Sequence, residues 1–448
     1  MKNERVKRLQ NIKSFTIFSV SIMFMGVFVL SPAISSLTHS FTIRSTGEIQ
    51  PTANVTARSG SARDVQAAVD WVVASGGIGS VYIPEGTFNF VEVGESWTGA
   101  RVNIPAGVNL FGAPTERDAN GQVIEWKTVL AMPWEVPTTG PDDMPVWFSV
   151  QGDGSPDVSF RFSDIKLVGW RFYDTNSITM YIGLRIYEVQ NFRVDHCNFQ
   201  DIAGSAIRAG SGPIYPNRKV ISGVIDHCRL VNSIGLPAPY ASRTLDYGIN
   251  LRRWACDVWD YDITNVFGKY NNYTIFIEDN YFSKWRHDVA SNDGIHYVFR
   301  HNLVEGDYGY GSVDAHGSYA VVGMLGVGTR AVEIYENVFK DPITLPDMSP
   351  PWAIHLRGGS AVVFNNIVQG YNDFLALSND VGNRELCPQC FTSDTYIWNN
   401  DIGAAHFWQY LELGLIEGDH YFLRVPNLAE DGFEYMPYPY PHPLTLQE

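Results

Sequence analysis

Seven copies of one short turn punctuate the chain: DHCNF (195–199), DHCRL (226–230), EDNYF (278–282), RHNLV (300–304), YENVF (335–339), FNNIV (364–368) and WNNDI (398–402). Their third position reads Cys197, Cys228, Asn280, Asn302, Asn337, Asn366 and Asn400, with gaps of 31, 52, 22, 35, 29 and 34 residues. A strand-like unit that recurs every 20–50 residues marks a solenoid, in which each coil buries its apolar face against the next. Asn at a fixed turn position tolerates left-handed backbone, and its amide can bond to the next Asn up the stack. Cys197 and Cys228 extend that column. At the ~4.8 Å spacing of neighbouring strands a disulfide is open to them, and two buried free thiols are the simpler reading.

A second strand repeats upstream of the turns: GLRIY (183–187), AIRAG (206–210), GINLR (248–252), DVASN (288–292), SVDAH (312–316), AIHLR (353–357) and FLALS (374–378). Period-two alternation sends Leu184/Ile186, Ile207/Ala209, Ile249/Leu251, Val289/Ser291, Val313/Ala315, Ile354/Leu356 and Leu375/Leu377 inward. The remaining positions form two outward columns. One reads Arg185, Arg208, Asn250, Ala290, Asp314, His355, Ala376. The other reads Tyr187, Gly210, Arg252, Asn292, His316, Arg357, Ser378.

Ahead of the repeat, residues 37–60 are Ser/Thr-rich without a hydrophobic period and read as a linker. Ser61 then caps a helix whose Val65, Ala68, Val69, Val72 and Val73 form one apolar stripe, ended by Gly76 and Gly77. Val81-Tyr82-Ile83 with its Pro84-Glu85-Gly86 turn follows. VNIPAGVNLFG (102–112) repeats that strand–Pro–Gly–strand order. The run DVQAAVDWVVASGGIGSVYIPEGTF, followed by VNIPAGVNLFG, resembles the opening of right-handed parallel β-helix proteins of the pectate-lyase-like superfamily. The resemblance implies an all-β, right-handed parallel β-helix over residues 61–403, with an amphipathic helix covering strand edges that would otherwise pair with other chains. It also implies that a polysaccharide lies across the sheet that carries the two outward columns.

The N-terminus points to export. Lys2, Arg5, Lys7, Arg8 and Lys13 precede an apolar run from Phe15 to Leu30 and small residues around Ser35, the layout of a signal peptide within residues 1–36. An uncleaved membrane anchor is the alternative, since ~16 apolar residues fall short of the ~20 that span comfortably. The expected location is therefore extracellular or cell-surface, with a membrane as partner only if the leader is retained. A formal net charge of -16 argues against non-specific nucleic-acid binding. Five Cys are too few for a disulfide scaffold, and the lone CPQC at Cys387 and Cys390 lacks the second pair a zinc site needs. Asn54 and Asn272 stand in N-x-T sequons.

The candidate site is a strip across coils: Asn250, Arg252, Arg286, His287, Asn292, Asp314, His316, His355 and Arg357. Exposed strands carry mostly Thr, Ser, Lys and Glu, so three His and three Arg around one Asp are unusual, although a solvated strip of incidental charges is the plain alternative. Trp254, Trp259, Tyr261, Tyr270 and Tyr273 offer flat faces for sugar rings along one wall, or a loop folded on its own aromatics. Glycoside hydrolysis needs two flanking carboxylates. The columns supply Asp314, with Asp288 at the sheet margin. β-Elimination from a uronic acid instead needs a cation to neutralise the carboxylate and a base for the adjacent carbon-bound proton. Arg grips a carboxylate in a bidentate fashion, and His is near its working pKa at neutral pH.

The expected catalytic residues are therefore His316 or His287 as base, with Arg286 stabilising charge and Asp314 orienting a His or binding a metal. Asn250, Arg252, Asn292, His355, Arg357, Trp254 and Trp259 are the expected substrate-binding residues. The best-known pectate lyases resemble one another in calcium-binding acidic clusters and an Arg base on this sheet. No such cluster stands here, so no cofactor is expected, with a divalent cation such as calcium the open alternative. His301, like His196 and His227, immediately precedes a ladder residue and reads as turn grammar; His296 and Arg300 fall on a neighbouring strand. In the tail, 404–448, HFWQYLELGLIEGDHYF (406–422) reads as a short helix or hairpin, and GFEYMPYPYPHPL (432–444) as an extended strap along the solenoid. The expected function is an acidic-polysaccharide lyase. A non-catalytic glycan-binding β-helix and a glycosidase on the same fold are the competing readings.

Overall fold

One coil shows how the chain runs. Thr274–Glu278 lies in one sheet, Tyr281–Ser283 in a second and His287–Asn292 in a third; His296–Arg300 then returns to the first. Each strand pairs in parallel with its counterpart one coil on: Thr274 opposite His296, Tyr281 opposite Leu303, Val289 opposite Val313. The computed structural model describes residues 34–43, 49–92, 95, 99–119, 121–132, 144–170, 173–174, 177–178, 180–211, 220–233, 246–253, 262–308, 310–317, 320–321, 324–325, 328–343, 352–379, 391–409 and 414–447. Among these the three sheets have thirteen, nine and ten strands, here termed the back, side and groove sheets. The fold is a parallel β-helix, and the rule for parallel crossovers makes it right-handed. Ile277, Phe282, Val289, Phe299, Val304 and Val313 fill the interior without exposure.

The turn between the back and side sheets works through two adjacent residues. Asn280 Nδ2 donates to Asn302 Oδ1 (3.1 Å), Asn302 to Asn337 (3.1 Å), Asn337 to Asn366 (3.0 Å) and Asn366 to Asn400 (2.9 Å). The left-handed residue is the one before the Asn, at His196, His227, Asp279, His301, Glu336, Asn365 and Asn399, with φ from 52° to 58°. The ladder position is thus selected for its amide, not for backbone tolerance. Cys197 and Cys228 are free and buried. Their thiols donate to the carbonyls two residues back, at 3.2 and 3.3 Å, as the ladder amides do.

The helix Ala62–Ala74 buries Ala62, Val65, Ala68, Val69 and Val72 over the first coil, and the Ser61 hydroxyl accepts from Asp64 N. Val73, assigned to the stripe, is 45% exposed. The expected linker 37–60 is instead largely strand. Ile34–Ile43 pairs antiparallel with Ile49–Ala57, and the latter pairs in parallel with Gly79–Tyr82 as part of the back sheet. Small side chains hide its period: Ala53, Val55 and Ala57 are buried between half-buried Thr52, Asn54 and Thr56. At the other end His406–Gln409 and Tyr421–Phe422 add one strand each to the groove and back sheets. These two strands continue the solenoid past 403, where a short helix or hairpin was expected; residues 410–413 lie outside the described residues.

The strap is extended, as expected, and returns along the back sheet. Tyr435 Oη donates to Glu333 (2.7 Å), Arg300 donates to the carbonyls of Tyr438 and Pro439 (2.7 and 2.9 Å), and Arg193 donates to that of Gln447 (2.8 Å). Tyr270 packs at tilted and edge-on angles among Phe276, Tyr438 and His442 on this same face. Tyr273 is buried, with the Arg253 guanidinium 4.6 Å from its ring centroid. Neither ring stands free as a groove wall. Residues 1–33, Cys256, Cys387 and Cys390 lie outside the described residues. Among the described residues no helix is long and apolar enough to cross a membrane.

Candidate active site

The groove sheet sets both outward columns in the expected register. Arg185 pairs with Arg208, Arg208 with Asn250, Asn250 with Ala290, Ala290 with Asp314, and Asp314 with His355. In the second column Arg252 is opposite Asn292, while His316 N and Arg357 N bond to the strands before them. All the expected inward residues are buried.

Asp314 is the centre of the strip. It points outward, yet its neighbours cover it completely. His316 Nε2 is 2.7 Å from Oδ2, Arg357 Nη1 3.2 Å and His287 Nε2 3.7 Å, while His355 Nδ1 is 3.4 Å from Oδ1. Burial alone would raise this carboxyl, but the facing His316, Arg357 and His287 outweigh it and hold Asp314 well below the usual carboxylate range. An anion already surrounded by four chargeable nitrogens is a poor ligand for a divalent cation. Among the described residues no group of three or more His, Cys, Asp or Glu side chains could hold a metal ion.

The two candidate bases differ. His287 is buried, and its Nδ1 donates to the Gly311 carbonyl (2.7 Å). Burial first, then Arg286, pushes its pKa down to about 3 against the pull of Asp314, so the ring is neutral at working pH. It stands behind Asp314 rather than on the groove. His316 is half-buried and fixed by the Asp314 bond, with Arg357 Nη1 3.2 Å from Nε2. The Asp314 carboxylate accepts from Nε2, which places the ring proton there and leaves the lone pair on Nδ1.

Beside His316 opens a cavity of about 300 Å³ lined by Tyr247, Asn250, Leu251, Arg252, Arg286, Ala290, Ser291 and Asn292. Ala290, the one small residue between Asn250 and Asp314 in its column, leaves the depression. Asn250 is 3% exposed, and its Oδ1 has no hydrogen-bond partner. Five expected residues, Asn250, Arg252, Arg286, Asn292 and His316, thus line one cavity; Asp314 holds His316 there, and His355 and Arg357 in turn contact Asp314. Trp254, Trp259 and Tyr261 lie outside the described residues.

Two groups escaped the sequence reading. Tyr247 lines the cavity, and burial raises its phenol so that it keeps its proton. Asp293 Oδ2 is 3.9 Å from Arg252 Nε; burial pushes its carboxyl up to about 6 despite Arg252 and His316. Neither repeats along the columns, so periodicity carried no signal for them. Asp288, placed at the sheet margin as a second carboxylate, is wholly buried. Burial, Asp307 and Asp246 raise it well above the usual range.

No protein-family model matches the chain, and no curated protein matches it. Solved structures do. The alginate lyase from Paenibacillus sp. str. FPU-7 matches at 10% identity and TM-score 0.40 over 80% of this chain and 97% of its own. A mannuronan C-5 epimerase A-module from Azotobacter vinelandii matches at 12% and 0.38 over 79% and 94%. A mutant tailspike protein of E. coli bacteriophage HK620, in complex with a pentasaccharide, matches at 16% and 0.43 over 77% and 54%. The likeness is one of fold.

Proposed function

We propose that the protein is an exported polysaccharide lyase that cleaves an acidic, uronate-containing glycan by β-elimination. The observation that carries this reading is the cavity itself: two guanidinium groups, Arg252 and Arg286, and the unpartnered Asn250 amide surround a space beside an Asp-held imidazole. A uronate carboxylate seated between the arginines loses charge density, which acidifies the proton on the adjacent ring carbon. His316 Nδ1 takes that proton. The C–H electron pair becomes the ring double bond, the bond to the glycosidic oxygen breaks, and that oxygen takes a proton from Tyr247. Nδ1 is covered by protein in the structure, so this role requires the ring edge to be uncovered as the substrate seats. Asp314 stabilises the imidazolium that results.

A second reading has its own observation. Asp293, raised to about 6, and Asp314, held low, are two carboxylates pushed apart in pKa, the pattern of an acid and its partner in glycoside hydrolysis. Asp314 has no exposed oxygen, and cations predominate around the cavity, so elimination fits the residues better. Substitution of the base tests the assignment. His316→Ala is expected to fold, by circular dichroism, and to lose about 10²–10⁴-fold in turnover of a polyuronate. Undiminished turnover by the folded variant would remove His316 from the role.

A further inference from the structure

The cavity accounts for Arg252 and Arg286 but not for two more arginines on the same sheet. Arg185 and Arg208 occupy the first outward column on adjacent coils, directly opposite each other. The next residue in that column is Asn250, at the cavity, and Arg252 follows Gly210 in the second column. Arg185, Arg208 and Arg252 are all half-buried, held by the sheet with part of each side chain at the groove. Arg185 is fixed by a 3.0 Å bond from its Nε to Ser149 Oγ and lies 5.4 Å from the Tyr187 ring centroid.

Arg185 and Arg208 lack what three arginines of the back sheet possess. On the back sheet Arg161, Arg193 and Arg300 each pair with a carboxylate at 3.0 Å or less. Among the described residues neither Arg185 nor Arg208 has a carboxylate partner, and Arg208 Nε has no hydrogen-bond partner at all. Burial, opposed by Tyr187, and the neighbouring Arg252 and Arg185 charges lower Arg208. Like charges stacked at the strand spacing of ~4.8 Å repel, which an isolated fold has no reason to keep. An anionic ligand with regularly repeated charges would relieve them.

We propose that Arg185, Arg208 and Arg252 form a subsite track for successive carboxylates of a polyanionic glycan, running from the cavity toward the N-terminal coils. A 1,4-linked polyuronate advances about one interstrand spacing per sugar, so consecutive residues meet consecutive coils. The track is one-sided. Past His355 the first column continues as Ala376, and past Arg357 the second continues as Ser378, neither of them charged. Several sugars are therefore gripped on one side of the cleaved bond and few on the other. Cleavage then releases short products from one end of the chain, and affinity grows with length on the gripped side alone.

This inference rests on the lyase reading for its substrate, and the test separates the two. Oligouronates of two to eight residues, prepared from alginate and from polygalacturonate, are assayed with the wild type and with Arg185→Gln/Arg208→Gln. The expected result is a KM for hexamers raised about tenfold in the double variant, with kcat unchanged and trimers unaffected. Equal effects at every length, or none, would overturn the track. Direct calorimetric binding of the hexamers at two salt concentrations covers the case of no turnover. Binding that is lost in the double variant would keep the track and reject the lyase reading. Absence of both binding and turnover would reject both.

Discussion

Two regions of this molecule use nearly the same residues to opposite ends. On the back sheet, Arg161, Arg193, Asp195 and Asp226 interleave with His196 and His227, while Arg300 meets Glu278 and His296 meets Glu333 at 2.9 Å. On the groove sheet, Asp314 gathers His316, Arg357, His355 and His287. The back-sheet groups are closed off, because the strap supplies carbonyls, a hydroxyl and a backbone N–H to the polar edges the sheet leaves open. The groove-sheet groups end at a cavity instead. Residue type did not separate a stabilising network from a candidate site; what covers the outer edge did.

That contrast breaks most visibly in a matched pair of imidazoles. His316→Ala should abolish most turnover per folded molecule, with a smaller fall in melting temperature because buried Asp314 keeps Arg357, His355 and His287. His296→Ala, which leaves Glu333 with less support in a fully buried position, should lower the melting temperature and leave kcat per folded molecule intact. The reverse pattern would assign the site to the wrong face. Next in size, Arg300→Met strands Glu278 in the interior and should cost about 3–5 kcal/mol in chemical denaturation, without effect on substrate KM. Asn337→Ala removes a ladder amide that donates to three oxygens and accepts from Asn302. A loss of about 3 kcal/mol is expected, again with activity preserved in the folded fraction.

The smallest effect concerns Asp288, whose carboxyl is raised in the fold. A raised acid stabilises below its unfolded pKa and loses that contribution as pH rises toward the folded value. Asp288→Asn should therefore match the wild type near pH 4 and gain on it above that, by at most about 1.4 kcal/mol per pH unit. His287 runs the other way. Held neutral down to about pH 3, it contributes fully above pH 6.5 and loses its contribution as the unfolded chain takes up a proton below that.

Much of this was legible in the sequence because solenoid geometry converts spacing into position. Seven turns fixed the coils, and alternation then placed Asp314 beside His355 and Arg252 beside Asn292 without any long-range information. The failures have physical reasons too. The strand at Ile49–Ala57 hides its period behind small side chains, and Tyr270 faces the strap because it leads into the back-sheet strand Thr274–Glu278. Asp293 and Tyr247 matter through burial and neighbouring charge, neither of which a linear pattern encodes. The same holds for His287: its place in the strip was readable, its seclusion behind Asp314 was not.

The central claim is that the cavity between Arg252 and Arg286 seats a uronate for elimination at His316. Counting ring double bonds, by ultraviolet absorbance, against new reducing ends during digestion of a panel of polyuronates tests it most directly. The account predicts one double bond for every new reducing end on at least one acidic glycan. Reducing ends without double bonds would contradict it in favour of hydrolysis through Asp293 and Asp314, and the absence of both from every glycan would leave a groove that binds without cutting.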